Sequence, residues 1–232
     1  QTLDIDVYSR NEILQKHLDD VAWAAYMGGI TTSAASIAIS GGVGTALSVA
    51  SNADRLSRVD MTRPPVELRK SNHDALVAMG TSAEVADLLL NNDNFTLTEQ
   101  TLFVAALTAA DGVAGRAGAV KVAVNTDNPN IALFRRRQAQ MYATAHRDAG
   151  GLNRFITIGR LTGAVAANGS FILAVPVDHL RWTAAIDNLQ REAAESFNGD
   201  DRHLWLSGTA SDLARAELTK LGWTVTTGAP SQ

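Results

Sequence analysis

Asn168-Gly169 separates two runs of β-forming residues, Arg154–Val165 and Ser170–Val177, and no other feature narrows the fold of this chain as much. An Asn-Gly pair between such runs predicts a hairpin, because a tight type I′ turn needs positive φ at both central residues. The pattern beyond it alternates. A helix is expected over about 180–197, closed by Asn198-Gly199, then a short strand at His203–Ser207. Thr209–Leu221 reads as a helix with Gly222 at the position after its C-cap, and Trp223–Thr227 as a last strand. The order is ββαβαβ, and the 203–227 unit should be a right-handed crossover between parallel strands.

Before residue 152 the hydrophobic period is helical. Ser9-Arg10-Asn11-Glu12 has capping-box spacing, and Ile13, Leu14, Leu18, Val21, Ala22, Ala25 and Tyr26 recur so as to give a helix over 10–27. Asp54–Lys70 carries eight charges and Pro64-Pro65, which reads as a surface connection. Short helices follow at Asn72–Gly80 and Ser82–Asn92, the second with Thr81 and Glu84 as its capping box. Thr96-x-x-Glu99 opens another helix to about Asp111, and a further one covers 116–124. Pro129 sits near the start of a helix that puts Ile131, Phe134, Met141, Tyr142 and Ala145 on one face and ends at Gly150-Gly151.

Between these parts of the pattern lies Val21–Ala53, 33 residues without a charge. Small residues recur every four positions from Ala24 through Gly28, Thr32, Ser36, Ser40 and Gly44 to Ser48, as in membrane-helix packing. Steps of four advance about 40° on a helix of 3.6 residues per turn, so the seven positions wind around it instead of holding one face. Residues 30–49 hold only six large aliphatics against seven Ser/Thr and three Gly. Those six gain about 3 kcal/mol on insertion, which the polar and glycine positions largely cancel. A membrane span is therefore not expected. Small residues packed against bulky ones such as Trp23, Tyr26 and Trp182, with chain breaks at Gly28-Gly29 and Gly41–Gly44, explain the segment better.

Composition bounds the rest. The chain has 232 residues, 46% apolar and 19% charged, enough to bury a core. Its net charge of −4 argues against a nucleic-acid partner, since such proteins carry a basic face. The absence of cysteine removes disulfides, thiolate catalysis, iron–sulfur clusters and cysteine zinc sites. The opening QTLDIDVYSRNE, together with abundant Ala, Gly, Thr and Asn, leads to the expectation of an exported bacterial chain, periplasmic or secreted, with the cytoplasm as the alternative.

Candidate chemistry is sparse. His17, His73, His146, His179 and His203 include no pair four residues apart and no His-Glu-x-x-His. Asp200, Asp201 and His203 are the densest set of metal-ligand types, in what reads as a solvated loop entering a strand, and no metal or other cofactor is expected. Asp178-His179 reads as the N-cap of the helix after it. Two loops have the form of anion sites. Ser207-Gly208-Thr209-Ala210-Ser211 lies between a strand's carboxyl end and a helix start, where its N–H groups and the hydroxyls of Ser207, Thr209 and Ser211 could hold an anion. The alternative there is that Thr209 or Ser211 caps the helix. Gly41, Gly42, Gly44 and Thr45 join a strand-like run to a helix-like one, but no Lys-Ser/Thr follows, and Leu47 stands where a dinucleotide fingerprint has its third glycine. Arg135-Arg136-Arg137 point about 100° apart on a helix and cannot form one phosphate-binding face.

The expectation is an α+β protein: a helical region over 1–151 with its Gly-rich segment at 28–51, and an α+β region over 152–232, sharing one core. For function it is a non-enzymatic interaction or structural module of an extracytoplasmic assembly, with a protein partner or a second copy of itself. The alternatives are a small-anion binder or enzyme using 207–211 or 40–45, and a membrane-associated protein using 21–53.

Overall fold

The helices before residue 149 form because each carries its own start signal. A computed structural model describes residues 59–148 and 150–230. The expected helix over 10–27, the breaks at Gly28-Gly29 and Gly41–Gly44, and the segment 21–53 lie outside the described residues. Helix α1 spans Pro65–Ala78 and starts seven residues before the sequence reading placed it. Pro65 is not part of a surface connection but opens the helix, where a missing N–H costs nothing and φ is already helical. Helix α2 is Ala83–Leu90, and its cap is Ser82, one residue later than expected, with Val85 N–H donating to Ser82 Oγ. Helix α3 is Leu97–Ala109, capped by Thr96 as its box predicts. The Glu99 carboxylate does not close that box: it accepts from Arg136 Nε at 2.8 Å.

Helix α4 spans Arg116–Val124 and α5 Pro129–Asp148. Twelve of the 20 residues of α5 are buried, which makes it the central helix and not a surface one. The helical layer is tied internally by side-chain amides. Asn72 Nδ2 donates to Thr101 Oγ1 between α1 and α3, and Asn92 Nδ2 to the carbonyls of Val124 and Thr126.

The strands are β1 (Leu152–Ile158), β2 (Leu161–Ala166), β3 (Phe171–Val175), β4 (His179–Leu180), β5 (Arg202–Leu206), β6 (Thr209–Ala210) and β7 (Trp223–Thr226). Helix α6 (Ala184–Ser196) precedes β5, and α7 (Asp212–Lys220) precedes β7. The main sheet has the order β1-β2-β3-β5-β7, antiparallel from β1 to β3 and parallel from β3 to β7. The class is α+β with a mixed sheet. The β4–β6 pair is a separate parallel ladder.

Three details correct the ββαβαβ reading. Arg154–Val165 is not one strand: it folds back at Gly159-Arg160, with Ile158 opposite Leu161 and Gly159 at φ +49°, a conformation glycine adopts at no steric cost. Asp178 does not cap α6. Asp178-His179 leads into β4, and Thr183 is the cap, its hydroxyl accepting from Ile186 N–H. Thr209 does not begin α7 but pairs in β6, and Ser211 is the cap. The hairpin at Asn168-Gly169 is present between β2 and β3 as a three-residue loop. Gly169 N–H donates to Ala166 O, Ala166 N–H to Ser170 O, and Gly169 sits at φ +90°.

Alternation along the strands separates two apolar clusters. Phe155, Ala164, Ala166, Ile172 and Ala174 face the helical layer and pack with Leu76, Leu107, Val120 and Tyr142. Ile158, Leu161, Leu173, Val175, Leu204 and Leu206 face the other way, onto Ile186 and Ala193 of α6 and Ala214 and Leu218 of α7. Ile131 and Phe134, from the first half of α5, belong to this second cluster.

Candidate functional site

One cleft among the described residues is walled by three pieces of chain that are remote in sequence. Its volume is about 550 Å³. One wall is a single face of α4, made by Gly118, Lys121, Val122 and Asn125 at helical spacing. The second is Asp127 with Ile131 and Arg135 of α5, and the third is Thr157 of β1 with Gly159 and Arg160 of the turn.

Backbone geometry fixes these walls. Ala114 N–H donates to Asn153 O, and Phe155 N–H to Ala114 O, so the segment before α4 is stitched to β1. Gly115, the N-cap of α4, lies at φ +79°, and a Cβ there would stand 2.7 Å from Phe155 O. Only glycine brings α4 this close to β1. Asn128 Oδ1 accepts from Ile131 N–H and sets the start of α5.

The charges on the cleft are mixed. Lys121 and Arg160 are exposed donors, and neither forms an ion pair with a described residue. Arg135 is 5% exposed, its guanidinium 5.9 Å from the ring centre of Phe134. Asp127 accepts from Asn128 Nδ2 at 3.2 Å and is in no ion pair with a described residue. Val122 and Ile131 supply a buried apolar surface. The set can hold an anion with Lys121 and Arg160 and accept hydrogen bonds at Asp127.

The residues singled out in the sequence are placed as follows. In the 207–211 loop the backbone donors are already engaged along the 175–180 segment. Ser207 N–H donates to Val175 O, Gly208 N–H to Val177 O, Thr209 N–H to Asp178 O and Ser211 N–H to Leu180 O. Ser207 Oγ donates to Val177 O, and Ser211 Oγ accepts from Ala214 N–H as the cap of α7. Thr209 Oγ1 lies 2.7 Å from His179 Nδ1. Gly208 is glycine for packing: a Cβ would overlap the backbone of Asp178. His203 Nε2 contacts Asp201 Oδ1 at 2.8 Å, but Asp200 does not join them, and no group of three metal-ligand side chains forms among the described residues. Gly41, Gly42, Gly44 and Thr45 lie outside those residues.

The three consecutive arginines go to three environments. Arg135 lines the cleft, and Arg136 bonds Glu99 and Gln140. The half-buried Arg137 has its pKa lowered, first by burial and then by Arg136, against the pull of Asp178 and Glu99. No helix among the described residues is long and apolar enough to cross a membrane.

No family model, no curated protein and no solved structure matches this chain, so the cleft is read from its own geometry.

Proposed function

We propose that this protein binds a small acidic molecule in the cleft between α4, α5 and the β1–β2 turn. The observation that carries the reading is the pairing of a volume of about 550 Å³ with two exposed cations, Lys121 and Arg160, that form no ion pair with a described residue. Clefts of roughly 300–1,000 Å³ with a few convergent polar groups are the usual form of small-molecule sites. Isothermal titration with a panel of organic anions tests it. Saturable binding that is weakened at least tenfold in both Lys121→Ala and Arg160→Ala supports the reading. No heat at millimolar anion, or binding indifferent to both variants, overturns it.

A second reading, an interaction module that associates with another copy of itself, is favoured by a different surface. A groove of about 470 Å³ runs between α1 and α3, floored by small residues such as Ser71, Ala75, Ala105 and Thr108. Val66 on α1 is 79% exposed nearby in sequence. Sedimentation over a concentration series decides it. Self-association lost in Ala105→Trp supports this reading, and a monomer at all concentrations removes it.

A further inference from the structure

Resting on the reading of the cleft as an acid-binding site, we infer that Asp127 sets its ligand class: a small organic anion that also carries a hydroxyl or ammonium group. Lys121 and Arg160 are donors only, and alone they would favour any anion of the right size. Asp127 changes that preference. It is a carboxylate on the same cleft, engaged by one described donor, Asn128 Nδ2, at 3.2 Å. A carboxylate has about four acceptor positions, so most of its capacity is open to water or to a ligand in the cleft. Asn125 works in the same sense. Its Nδ2 is held by Lys121 O at 3.3 Å at the end of α4, so its amide is oriented by the helix it closes.

An anion without a donor group would bring a like charge toward Asp127 and strip its water without replacing it, which costs binding energy. An anion with a hydroxyl or ammonium group turns the same contact into a charge-assisted hydrogen bond. The apolar surface of Val122 and Ile131 adds a reason for the ligand to have a carbon skeleton and not to be a bare inorganic ion. Hydroxy acids, amino acids and sugar phosphates share this chemistry.

Sites that hydrogen-bond a substrate hydroxyl reject the analogue lacking it by about 10⁴-fold when buried; in an open cleft the expected ratio is about tenfold or more. The experiment compares matched pairs by isothermal titration: malate with succinate, and glycerol 3-phosphate with propyl phosphate. Wild type should bind the hydroxylated member of each pair about tenfold tighter. In Asp127→Ala the two members should converge, mainly because the anion without a hydroxyl gains affinity. Asp127→Ser serves as the second variant if Asp127→Ala loses its fold by circular dichroism. Equal affinities within the pairs in wild type, or a preference that survives both variants, overturns the assignment to Asp127 while the cleft still binds anions. Failure of all four ligands to bind overturns the acid-binding reading itself.

Discussion

Tyr142 Oη accepts the Ala174 N–H at 3.1 Å and donates to the Thr162 carbonyl at 2.5 Å. In the β2–β3 register Thr162 would face Ala174 two residues beyond Ala164–Ile172, but the two strands are paired only at Ala164–Ile172 and Val165–Phe171. Gln138, one turn before Tyr142, donates its Nε2 to the Ala174 carbonyl at 2.7 Å. Two side chains of α5 thus complete a ladder that the sheet has left open.

Replacing Tyr142 with Phe keeps the ring and its edge contact with Phe155 but leaves the Ala174 N–H and the Thr162 carbonyl buried without their partner. Such a loss costs about 1–3 kcal/mol. Urea denaturation of Tyr142→Phe should show a lower midpoint with an unchanged slope. A change below about 0.5 kcal/mol would mean that water or β2 itself takes over the bonds.

Alkaline pH should act through the same hydroxyl. Burial pushes the Tyr142 phenol well above its ordinary value, and the bond from Ala174 N–H only partly offsets this. The unfolded chain releases that proton near pH 10 and the folded chain does not, so the stability it contributes is intact below pH 10 and lost as pH rises. Between pH 10 and the raised folded value, wild type should lose about 1.4 kcal/mol per pH unit more than Tyr142→Phe does. Denaturation midpoints of both proteins from pH 8 upward measure this, and parallel curves would contradict it.

Gly115 and Gly150 form an internal control for close packing. Both have φ near +79°, but a Cβ at Gly150 meets nothing within 4 Å, whereas at Gly115 it meets Phe155 O at 2.7 Å. Gly150→Ala should cost about 1 kcal/mol for the left-handed backbone alone. Gly115→Ala should cost roughly 2–4 kcal/mol, because the clash is with backbone that is itself hydrogen-bonded to Ala114. Since α4 then moves off β1, the anion affinity of the cleft should also fall in Gly115→Ala and stay unchanged in Gly150→Ala. Thermal melts and titrations on the two variants check both statements.

Local signals carried the fold a long way and the cleft hardly at all. Thr96-x-x-Glu99, Pro129, Asn168-Gly169 and Gly222 each act within a few residues of themselves, and each lies at the end of an element. Gly159-Arg160 escaped notice because the residues on both sides have strand character, so the pattern reads through the turn. Asp178 has the composition of a cap, yet it leads into β4, whose His179 pairs with Thr209 of β6, 30 residues away in the chain. The cleft suffers from the same distance. Lys121, Asp127 and Arg160 are each ordinary surface residues in sequence, and they come to one concavity through the packing of α4, α5 and the β1–β2 turn, which no local signal announces.

Ser211 separates two uses of the 207–211 loop. Its hydroxyl accepts from Ala214 N–H at 3.2 Å, and the N–H groups of 207, 208, 209 and 211 already donate to carbonyls from Val175 to Leu180. A phosphate entering this loop would have to displace those bonds, whereas a cap needs none of them to move. Ser211→Ala should therefore lower stability by about 1 kcal/mol, the usual value of a serine N-cap. The shift in melting temperature that phosphate or glycerol 3-phosphate produces should be the same in Ser211→Ala as in wild type, because the cleft lies on other elements. Melting curves with and without each anion provide the measurement. A ligand-induced shift that disappears in Ser211→Ala and persists in Lys121→Ala would move the anion site from the cleft to the loop.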